Sequence, residues 1–345
     1  MKTTEFNEKI QKLTDRLLDV PYSTLPISSY NKAYIQRMMP AINYYLKIFG
    51  MCLQKGIKES GMTPDELTLV DFGGGSGFLS MLAKVFGVGK VIYVDHNPLS
   101  VQTATTLKEH IGIGADVILE GSSDELYRWC RKNQLKPEIL IATDLIEHVY
   151  DLKSFFGELL EINSSMKMYF TTASTPFNPY VKWKLRKIMV SCESGQGETP
   201  NYYTKRFDYI RHHFPELTEA EAKDWALCCR GLTFKDIHMS IPTGLKPCPS
   251  DRWNTCDPEN GNWTERILPI RKYYKILTPY DYKVKVSKGF YNEQRSSSLM
   301  TTISRLLNKL IHLTGSFGYI AAPFIVLSCV PYSSSRSNSS NPLRT

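Results

Sequence analysis

The stretch that decides the fold is Val70-Asp71-Phe72-Gly73-Gly74-Gly75-Ser76-Gly77-Phe78, which reads VDFGGGSGF. The apolar run LTLV leads into it, and the helix-like segment FLSMLAKVFG follows it. A glycine-rich turn between a strand and a helix offers backbone N–H groups and a helix N-terminus to an anionic group. The stretch therefore predicts a strand–turn–helix unit that binds a ligand, and the remaining question is which ligand.

The apolar runs around this turn predict the fold class. After Pro64, five β-like runs alternate with four helix-like segments: LTLVDF, KVIYVD, DVILEG, EILIATD and KMYFTTAS. Two further strand-like runs, DYKVKVSKGFY and YIAAPFIVLSCV, follow residue 280. Strands that alternate with helices through right-handed crossovers form a doubly wound parallel sheet. We therefore expect an α/β protein in which the last two strands complete a mostly parallel sheet.

The sequence pattern predicts five segments. Two helical stretches, one ending before Pro21 and one interrupted at Pro40, indicate an N-terminal helical lid. A region rich in Tyr, Trp, Pro and charge breaks the strand–helix rhythm after the fifth strand and indicates a large substrate-binding insert. The expected boundaries are 1–64 for the lid, 65–175 for the cofactor-binding Rossmann-like core, 176–280 for the insert, 281–331 for the last two strands and 332–345 for a disordered tail without apolar content.

Composition and charge bound the remaining possibilities. The 345 residues are 42% hydrophobic and 22% charged, as in an ordinary globular protein. Charges are mixed throughout the first twenty residues, so we expect no secretory signal and a cytoplasmic location. The most apolar segment, 319–330, contains Pro323 and is shorter than the ~20 residues of a membrane span, which favours a buried strand. The eight cysteines include no CxxC pair and are expected to be free thiols.

The net charge of +8 is concentrated in residues 180–213, which hold seven Lys/Arg against three acids. Such a run is compatible with a solvated face, with an anionic substrate or, less favourably, with nucleic acid. Its polar cluster suggests contacts to an acidic or polyhydroxylated acceptor from Tyr202, Tyr203, Lys205, Arg206, His212 and His213. The turn-rich segment Asn254–Trp263 is a candidate for a second loop over the site.

The glycine turn excludes two kinds of phosphate site. In the dinucleotide motif GxGxxG, the third glycine would fall at Phe78 or Ser80, so both registers fail. A P-loop needs Gly-Lys-Ser/Thr, and no lysine lies between Gly73 and Ser80. The pattern that fits is acid-x-Gly-x-Gly-x-Gly, formed by Asp71, Gly73, Gly75 and Gly77.

That pattern suits a ligand with α-amino and α-carboxylate groups. Glycines allow positive φ and close approach of the backbone, and the following helix N-terminus favours a carboxylate. Asp71 suits an ammonium group or the amides of the turn. Asp95 ends the second strand, 22 residues after Gly73, where an acid accepts hydrogen bonds from both ribose hydroxyls; the alternative is an exposed loop aspartate. An amino acid joined to a nucleoside is S-adenosylmethionine.

The segments VDFGGGSGF, VIYVDHNP and ILIATDLIEHVYDL resemble the class I S-adenosylmethionine-dependent methyltransferases. The third segment is most similar to the small-molecule O-methyltransferases of ubiquinone biosynthesis. The resemblance covers about 65–175 and, through strand order, 281–331. It implies a seven-stranded Rossmann-like methyltransferase fold with a final antiparallel strand. It also implies cofactor contacts from Asp71, Gly73, Gly75, Gly77 and Asp95, to which we add His96, Ser122 and Asp144.

This sequence departs from the family at the adenine contact. After the third strand, the family often has Gly-Asp, whereas this chain has Gly121-Ser122-Ser123-Asp124. Ser122, or Asp124 one turn further along the helix, would then supply the contact.

The segment after the fourth strand allows three interpretations. Ubiquinone-type methyltransferases have Glu-x-x-Glu-His here, and some use it for a divalent cation; this chain has Asp144-x-x-Glu147-His148. The first interpretation is therefore a cation such as Mg²⁺ on Asp144, Glu147 and His148. The second is a helix start, with Asp144 capping the turn and His148 packing. The third is His148 as the general base that deprotonates an acceptor hydroxyl.

The predicted function is transfer of a methyl group from S-adenosylmethionine to a small-molecule acceptor, on oxygen. The chemistry requires mainly the alignment of acceptor, methyl carbon and sulfur. A nucleic-acid methyltransferase is less favoured, because the Asn/Asp-Pro-Pro-Tyr/Phe motif is missing after the fourth strand. A cofactor-binding module without catalysis is the third possibility.

Overall fold

The computed structural model describes residues 3–249 and 251–332. Three N-terminal helices come first: α1 (Thr3–Leu18), α2 (Ser29–Met38) and α3 (Ile42–Ser60). Pro21 follows α1, and a single 3₁₀ turn that contains Pro40 separates α2 from α3, as proline requires. The predicted helix boundaries at these two prolines are confirmed.

A seven-stranded sheet forms the centre of the molecule, in the spatial order β3-β2-β1-β4-β5-β7-β6. The first five strands are parallel, whereas β7 runs antiparallel to both of its neighbours. The strands are β1 (Thr68–Phe72), β2 (Lys90–Asp95), β3 (Val117–Glu120), β4 (Ile139–Thr143), β5 (Lys167–Thr172), β6 (Tyr282–Lys288) and β7 (Ile325–Pro331). The predicted doubly wound sheet with a final antiparallel strand is confirmed.

Helices cover both faces of the sheet because each strand alternates its side chains between them. One face packs against α1, α2, α3 and two connecting helices, and the other against three helices. On the first face, the connecting helices are α4 (Phe78–Val85) and α5 (Pro98–Ile111). The second face packs against α6 (Ser123–Lys132), α7 (Leu152–Ile162) and a later helix of the insert. The N-terminal helices thus form part of a packed layer, in addition to the lid role expected of them.

In its described residues, the insert after β5 has five helices and a small core of its own. They are α8 (Pro179–Ser194), α9 (Tyr202–His213), α10 (Glu219–Cys228), α11 (Phe234–Ser240) and α12 (Ile270–Leu277). Residues of α9, α10 and α11 form a separate apolar cluster around Ile210 and Trp225. Two helices lie between β6 and β7: α13 (Ser298–Leu313) and the short α14 (Gly318–Ala321).

Four further predictions concern the apolar segment 319–330, the cysteines, membrane-spanning helices and the C-terminal tail. The segment 319–330 forms a strand only from Ile325 onwards, because Pro323 separates the strand from α14. All eight cysteines are free thiols. Within residues 3–249 and 251–332, no helix has both the length and the apolar character needed to cross a membrane. The predicted tail, 332–345, lies outside the described residues except for Tyr332.

Candidate cofactor and acceptor site

The site lies where the strand order reverses, at the carboxyl ends of β1 and β4. In an open α/β sheet, this position leaves a crevice in which ligands bind. A cavity of about 510 Å³ opens there, lined by residues that follow the first four strands. A second cavity of about 70 Å³ lies on the other side of Gly73, between the glycine turn and residues of α2 and α3. Gly73 lines both cavities.

The glycine turn has the backbone conformation that its sequence predicts. Gly73, Gly75 and Gly77 have φ of +69°, +52° and +78°, a region that favours glycine. The Gly73 N–H donates to the Val94 carbonyl oxygen at 2.7 Å, which fixes the turn against β2. A Cβ on Gly73 would lie 2.0 Å from Leu145 Cδ1, whereas a Cβ on Gly75 would meet no atom within 4 Å. Gly75 is therefore the open side of the turn.

Asp71 lies beneath the turn and stabilises the start of α4. Its Oδ2 accepts hydrogen bonds from the Ser80 N–H at 2.9 Å and from the Ser80 hydroxyl at 2.6 Å. Burial raises the pKa of the carboxyl to about 7, against the opposing effect of the Ser80 hydrogen bonds. The predicted partners of Asp71 were an ammonium group or the amides of the turn, whereas the amide it accepts belongs to Ser80 of the following helix; Asp71 also lines the smaller cavity.

Asp95 joins the glycine turn to the larger cavity. Its Oδ2 accepts the Gly75 N–H and its Oδ1 accepts the Asn97 N–H, both at 2.9 Å. The carboxylate is 7% exposed and lines the cavity together with His96, whose ring is exposed. Each carboxylate oxygen can accept more than one hydrogen bond, so these two amides leave acceptor capacity for a ligand.

The wall after β3 contains both predicted adenine contacts. Gly121, Ser122, Ser123 and Asp124 line the larger cavity. The Ser122 hydroxyl donates to Asp124, whose other oxygen accepts from Arg128 at 2.8 Å. Although this chain lacks the Gly-Asp of the family, it still has a carboxylate at this wall, that of Asp124, two residues beyond Ser122.

Asp144 occupies a conformation that few residues other than glycine adopt. Its φ is +56°, its N–H donates to the Thr171 carbonyl oxygen at 3.0 Å, and its side chain is exposed at the larger cavity. Burial, and then the Asp144 charge, raise the pKa of the Tyr34 hydroxyl to about 12, and the same two causes raise the pKa of Tyr45. Two tyrosines of the N-terminal helices therefore lie near Asp144, a grouping that no local sequence signal indicated.

Glu147 points away from the larger cavity and into the protein interior. It is fully buried; its Oε1 accepts from the Thr172 hydroxyl at 2.6 Å, and its Oε2 has no hydrogen-bond partner among the described residues. Burial and the neighbouring Asp144 raise its pKa well above the ordinary value for glutamate. A second carboxyl, that of Glu265, accepts from the Ser174 hydroxyl at 2.8 Å, and burial and Asp144 raise its pKa too.

These carboxyl groups do not form the predicted cation site. Across residues 3–249 and 251–332, no group of three or more His, Cys, Asp or Glu side chains is arranged to hold a metal ion. Burial and then the Asp144 charge raise the pKa values of Glu147 and Glu265, so negative charge is disfavoured at both carboxyl groups. The interpretation of Asp144, Glu147 and His148 as cation ligands therefore finds no support in this geometry.

His148 lies at the cavity wall with one ring nitrogen occupied. Its Nδ1 is 2.7 Å from the Trp263 carbonyl oxygen. Because a carbonyl oxygen only accepts, Nδ1 carries the proton and Nε2 of the neutral ring is a proton acceptor. The prediction of a helix start here is wrong: α7 begins at Leu152, and Asp151 caps it by accepting the N–H groups of Lys153 and Ser154.

Two segments of the insert were predicted to contact the substrate, and only one of them lines a cavity of the site. Asn262 lines the larger cavity, so the segment Asn254–Trp263 does reach the site. The cluster on and beside α9 does not, because α9 packs against α10 and α11. Arg206 is fully buried in an ion pair with Glu193, and Lys205 pairs with Asp257 at 3.1 Å. Neither cavity is lined by any of the six residues predicted from this cluster, which are Tyr202, Tyr203, Lys205, Arg206, His212 and His213.

Comparisons with known proteins add the following findings. No protein-family model matches the chain, and no curated protein matches it. Similar solved structures include an S-adenosylmethionine-dependent methyltransferase from Archaeoglobus fulgidus, at 13% identity and a TM-score of 0.39, over 82% of this chain and 94% of that one. The plantazolicin methyltransferase BpumL, solved with SAH, is 13% identical with a TM-score of 0.39, over 95% and 99% of the two chains.

A third solved structure, the ribosomal protein L11 methylase from Lactobacillus delbrueckii subsp. bulgaricus, is 21% identical with a TM-score of 0.27. It matches 35% of this chain, which spans 57% of the length of that protein. Likenesses with TM-scores this low carry no weight for activity. The strand order β3-β2-β1-β4-β5-β7-β6 with an antiparallel β7, observed in the chain itself, is that of the Rossmann-like methyltransferase fold.

Proposed function

We propose that the chain is an S-adenosylmethionine-dependent methyltransferase that acts on an oxygen of a small-molecule acceptor. One observation carries the proposal: the Asp95 carboxylate accepts the N–H of Gly75, the open glycine of the turn, at 2.9 Å. This contact links the expected ribose acceptor, which lines the larger cavity, to the expected amino-acid site at the glycine turn, which lines the smaller cavity. It does so at the reversal point of the sheet, where ligands of such folds bind.

The residues present fit the cofactor. The N-terminus of α4 has no side-chain cap at Gly77, so its backbone N–H groups suit a carboxylate. Asp95 and His96 would line the ribose, and Ser122 or Asp124 would contact the adenine. Asp71, which lines the smaller cavity, would favour the α-ammonium group.

The chain's own groups then arrange the transfer. When bound, S-adenosylmethionine supplies a methyl group on a positively charged sulfur; the carbon–sulfur bond breaks as the carbon–oxygen bond forms. His148 Nε2 would take the proton of the acceptor hydroxyl, while Nδ1–H stays on the Trp263 carbonyl oxygen and holds the ring in place. Leu145 and Phe155 supply apolar wall next to His148, which limits water at the reacting oxygen.

The surroundings of His148 favour a polyhydroxylated acceptor over an acidic one. Burial and then the Asp144 charge raise the pKa values of Glu147 and Glu265, so an anionic acceptor beside these carboxyl groups would add like charge. The cations expected to offset that charge, Lys205 and Arg206, are committed to ion pairs elsewhere. Asp144 at the larger cavity and Tyr34 at the smaller one instead offer hydrogen bonds to hydroxyl groups.

Titration calorimetry with the purified chain tests the cofactor. We expect S-adenosylhomocysteine and S-adenosylmethionine to bind with micromolar affinity. NAD and ATP serve as matched controls, since both share the adenosine but carry phosphates that this turn is not built to hold; we expect no binding of either. Absence of S-adenosylhomocysteine binding, or tighter binding of NAD, would overturn the proposal.

A second measurement tests the acceptor. Hydroxylated metabolites, screened with methyl-labelled S-adenosylmethionine in the presence and absence of EDTA, should yield labelled ethers, and the chelator should not reduce the yield. Label found only on nitrogen or carbon would contradict transfer to oxygen. A loss of turnover on chelation would restore the cation interpretation.

A further inference from the structure

An uncovered apolar face runs along α13, and two more exposed apolar residues follow the end of this helix. We call the apolar stripe the set of residues that are spaced alternately four and three apart and are all exposed: Leu299, Ile303, Leu306, Leu310, Leu313, Phe317 and Ile320. Leu313 is 84% exposed and Phe317 is 78% exposed. Single exposed apolar residues are ordinary on a protein surface, but a continuous row of this length marks an interaction site.

The opposite side of α13 is held firmly to the fold. Ser304 and Ile311 are buried, and Lys288 of β6 donates hydrogen bonds to the carbonyl oxygens of Ile311 and Gly315. Asn308 donates to the Tyr291 carbonyl oxygen at 3.0 Å. α13 is therefore packed against the fold through the side opposite the apolar stripe, and the stripe itself is left exposed.

The charges of α13 all have one sign. Its 16 residues, SLMTTISRLLNKLIHL, include no Asp or Glu. Arg305 and Lys309, one turn apart, are exposed beside the stripe, and His312 follows them. A helix with an exposed apolar row and basic residues on its flank is typical of helices that lie in the surface of an anionic membrane.

We propose that the apolar stripe docks on an anionic phospholipid surface, with Arg305 and Lys309 at the level of the headgroups. A second copy of the chain is a poorer match, since the row on α13, from Leu299 to Leu313, is about 21 Å long and falls short of the ~3–4 heptads that indicate a coiled coil. Pairing two copies of α13 would also bring basic residues together with no acid on either helix. The bilayer supplies both the apolar medium and the opposite charge.

Aromatic residues at the start of α8 lie close to the end of the stripe. The Phe177 and Tyr319 rings lie 5.1 Å apart, and the Asn178 amide donates to the Ala322 carbonyl oxygen at 3.0 Å. One turn into α8, Tyr180 and Trp183 are 67% and 53% exposed, and the Lys187 ammonium lies 3.7 Å from the Trp183 ring centre. Exposed Trp and Tyr with neighbouring cations are the residues enriched at membrane–water interfaces.

Vesicle flotation with the full chain, without cofactor, tests the proposal independently of the methyltransferase function. We expect binding to phosphatidylcholine vesicles that contain about 30 mol% phosphatidylglycerol, and much weaker binding to phosphatidylcholine alone. The double variant Leu306→Gln with Leu310→Gln should bind anionic vesicles about tenfold less or worse, because it removes apolar contact at unchanged charge. The matched control, Leu227→Gln with Leu245→Gln, changes two leucines of the insert that are at least as exposed as the test pair and should bind as the wild type.

A second variant, which removes charge and leaves the apolar stripe intact, tests the proposal even if the apolar variant misfolds. Arg305→Gln with Lys309→Gln should weaken binding to anionic vesicles about thirtyfold, since each basic residue near such a surface contributes about 1 kcal/mol. Lys272→Gln with Lys275→Gln, two exposed cations on α12, is its control.

Three results would overturn the proposal. The first is no flotation of the wild type with either vesicle, and the second is equal flotation of the wild type and both stripe variants. The third is a concentration-dependent dimer in sedimentation that the Leu306→Gln, Leu310→Gln variant abolishes, together with no vesicle binding, because a second copy would then cover the stripe.

Discussion

Three glycines share one backbone conformation but differ in their surroundings. Replacing each of them by alanine adds a single methyl group and so tests the proposed cofactor position. Gly73, Gly75 and Gly112 have φ of +69°, +52° and +73°. A Cβ would lie 2.0 Å from Leu145 Cδ1 at Gly73 and would meet nothing within 4 Å at Gly75 or Gly112. Gly112 ends α5, away from both cavities.

The structure sets a different cost for each alanine. A left-handed conformation costs an alanine about 1–2 kcal/mol, which is the whole expected loss of unfolding free energy for Gly112→Ala and Gly75→Ala. Gly73→Ala adds overpacking against Leu145 of about 1–3 kcal/mol, so we expect a total loss of about 2–5 kcal/mol. A typical domain has about 5–15 kcal/mol of stability, so the Gly73→Ala variant should still fold.

Urea unfolding and titration calorimetry with S-adenosylhomocysteine separate these effects. Gly112→Ala should bind the ligand as the wild type does. Gly75→Ala, with the same stability as Gly112→Ala, should bind about tenfold more weakly or worse, because the new methyl group takes space that the ligand needs. The double variant Gly73→Ala, Leu145→Ala should be more stable than the sum of its single changes, by about 1–3 kcal/mol.

Two outcomes would refute this reasoning. Equal losses of unfolding free energy for Gly73→Ala and Gly112→Ala, with additive effects in the Leu145 cycle, would mean that the glycine turn does not pack on Leu145. Wild-type affinity of Gly75→Ala would mean that the ligand does not approach the open side of the turn, and the proposed cofactor position would be wrong.

Two further predictions concern Asp71 and His148. Because burial raises the pKa of Asp71 to about 7, its contribution to stability is present below about pH 4 and is lost as the pH rises towards 7, at up to about 1.4 kcal/mol per pH unit. Asp71→Asn should therefore give a flatter plot of unfolding free energy against pH in this window, and an unchanged slope would contradict the assignment. His148→Asn keeps a donor for the Trp263 carbonyl oxygen but lacks the proton acceptor, so turnover should fall about 10²–10⁴-fold at unchanged cofactor affinity. Turnover within a few-fold of the wild type would exclude His148 as the base.

The fold was predictable because its signals are local. Each strand of the core is a short apolar run next to a turn, and several helix starts carry a side-chain cap, as Asn97 and Asp151 show by accepting the N–H groups of the residues that follow them. The positive φ of three glycines follows from their spacing before a helix. Pro40 and Pro323 mark real interruptions, since proline ends a helix or a strand whatever its tertiary surroundings.

The acceptor side was less predictable because its contacts join distant segments. The Trp263 carbonyl oxygen orients His148 from 115 residues away, and Glu265 reaches Ser174 across 91 residues. No local pattern distinguishes such a glutamate from a solvated one. At Arg206, composition led to a wrong prediction. The polar, aromatic-rich segment around it suggested a substrate contact, but the guanidinium is buried against Glu193. Residue type alone does not distinguish a buried structural residue from one that contacts the substrate.

The double role of Asp95 decides how its contact with a ligand has to be measured. Its two oxygens accept the N–H groups of Gly75 and Asn97, so an asparagine would turn its NH₂ group towards one of these donors and disturb the turn even without ligand. Weaker binding by Asp95→Asn is therefore expected on either interpretation of the carboxylate. A cycle with S-adenosylhomocysteine and its 2′-deoxy analogue separates them. If Asp95 accepts the ribose hydroxyl, the wild type should prefer the hydroxylated ligand by about tenfold, and Asp95→Asn should lose most of that preference. If Asp95 only shapes the turn, both proteins will show the same preference, because the deleted hydroxyl then has no partner on this side chain.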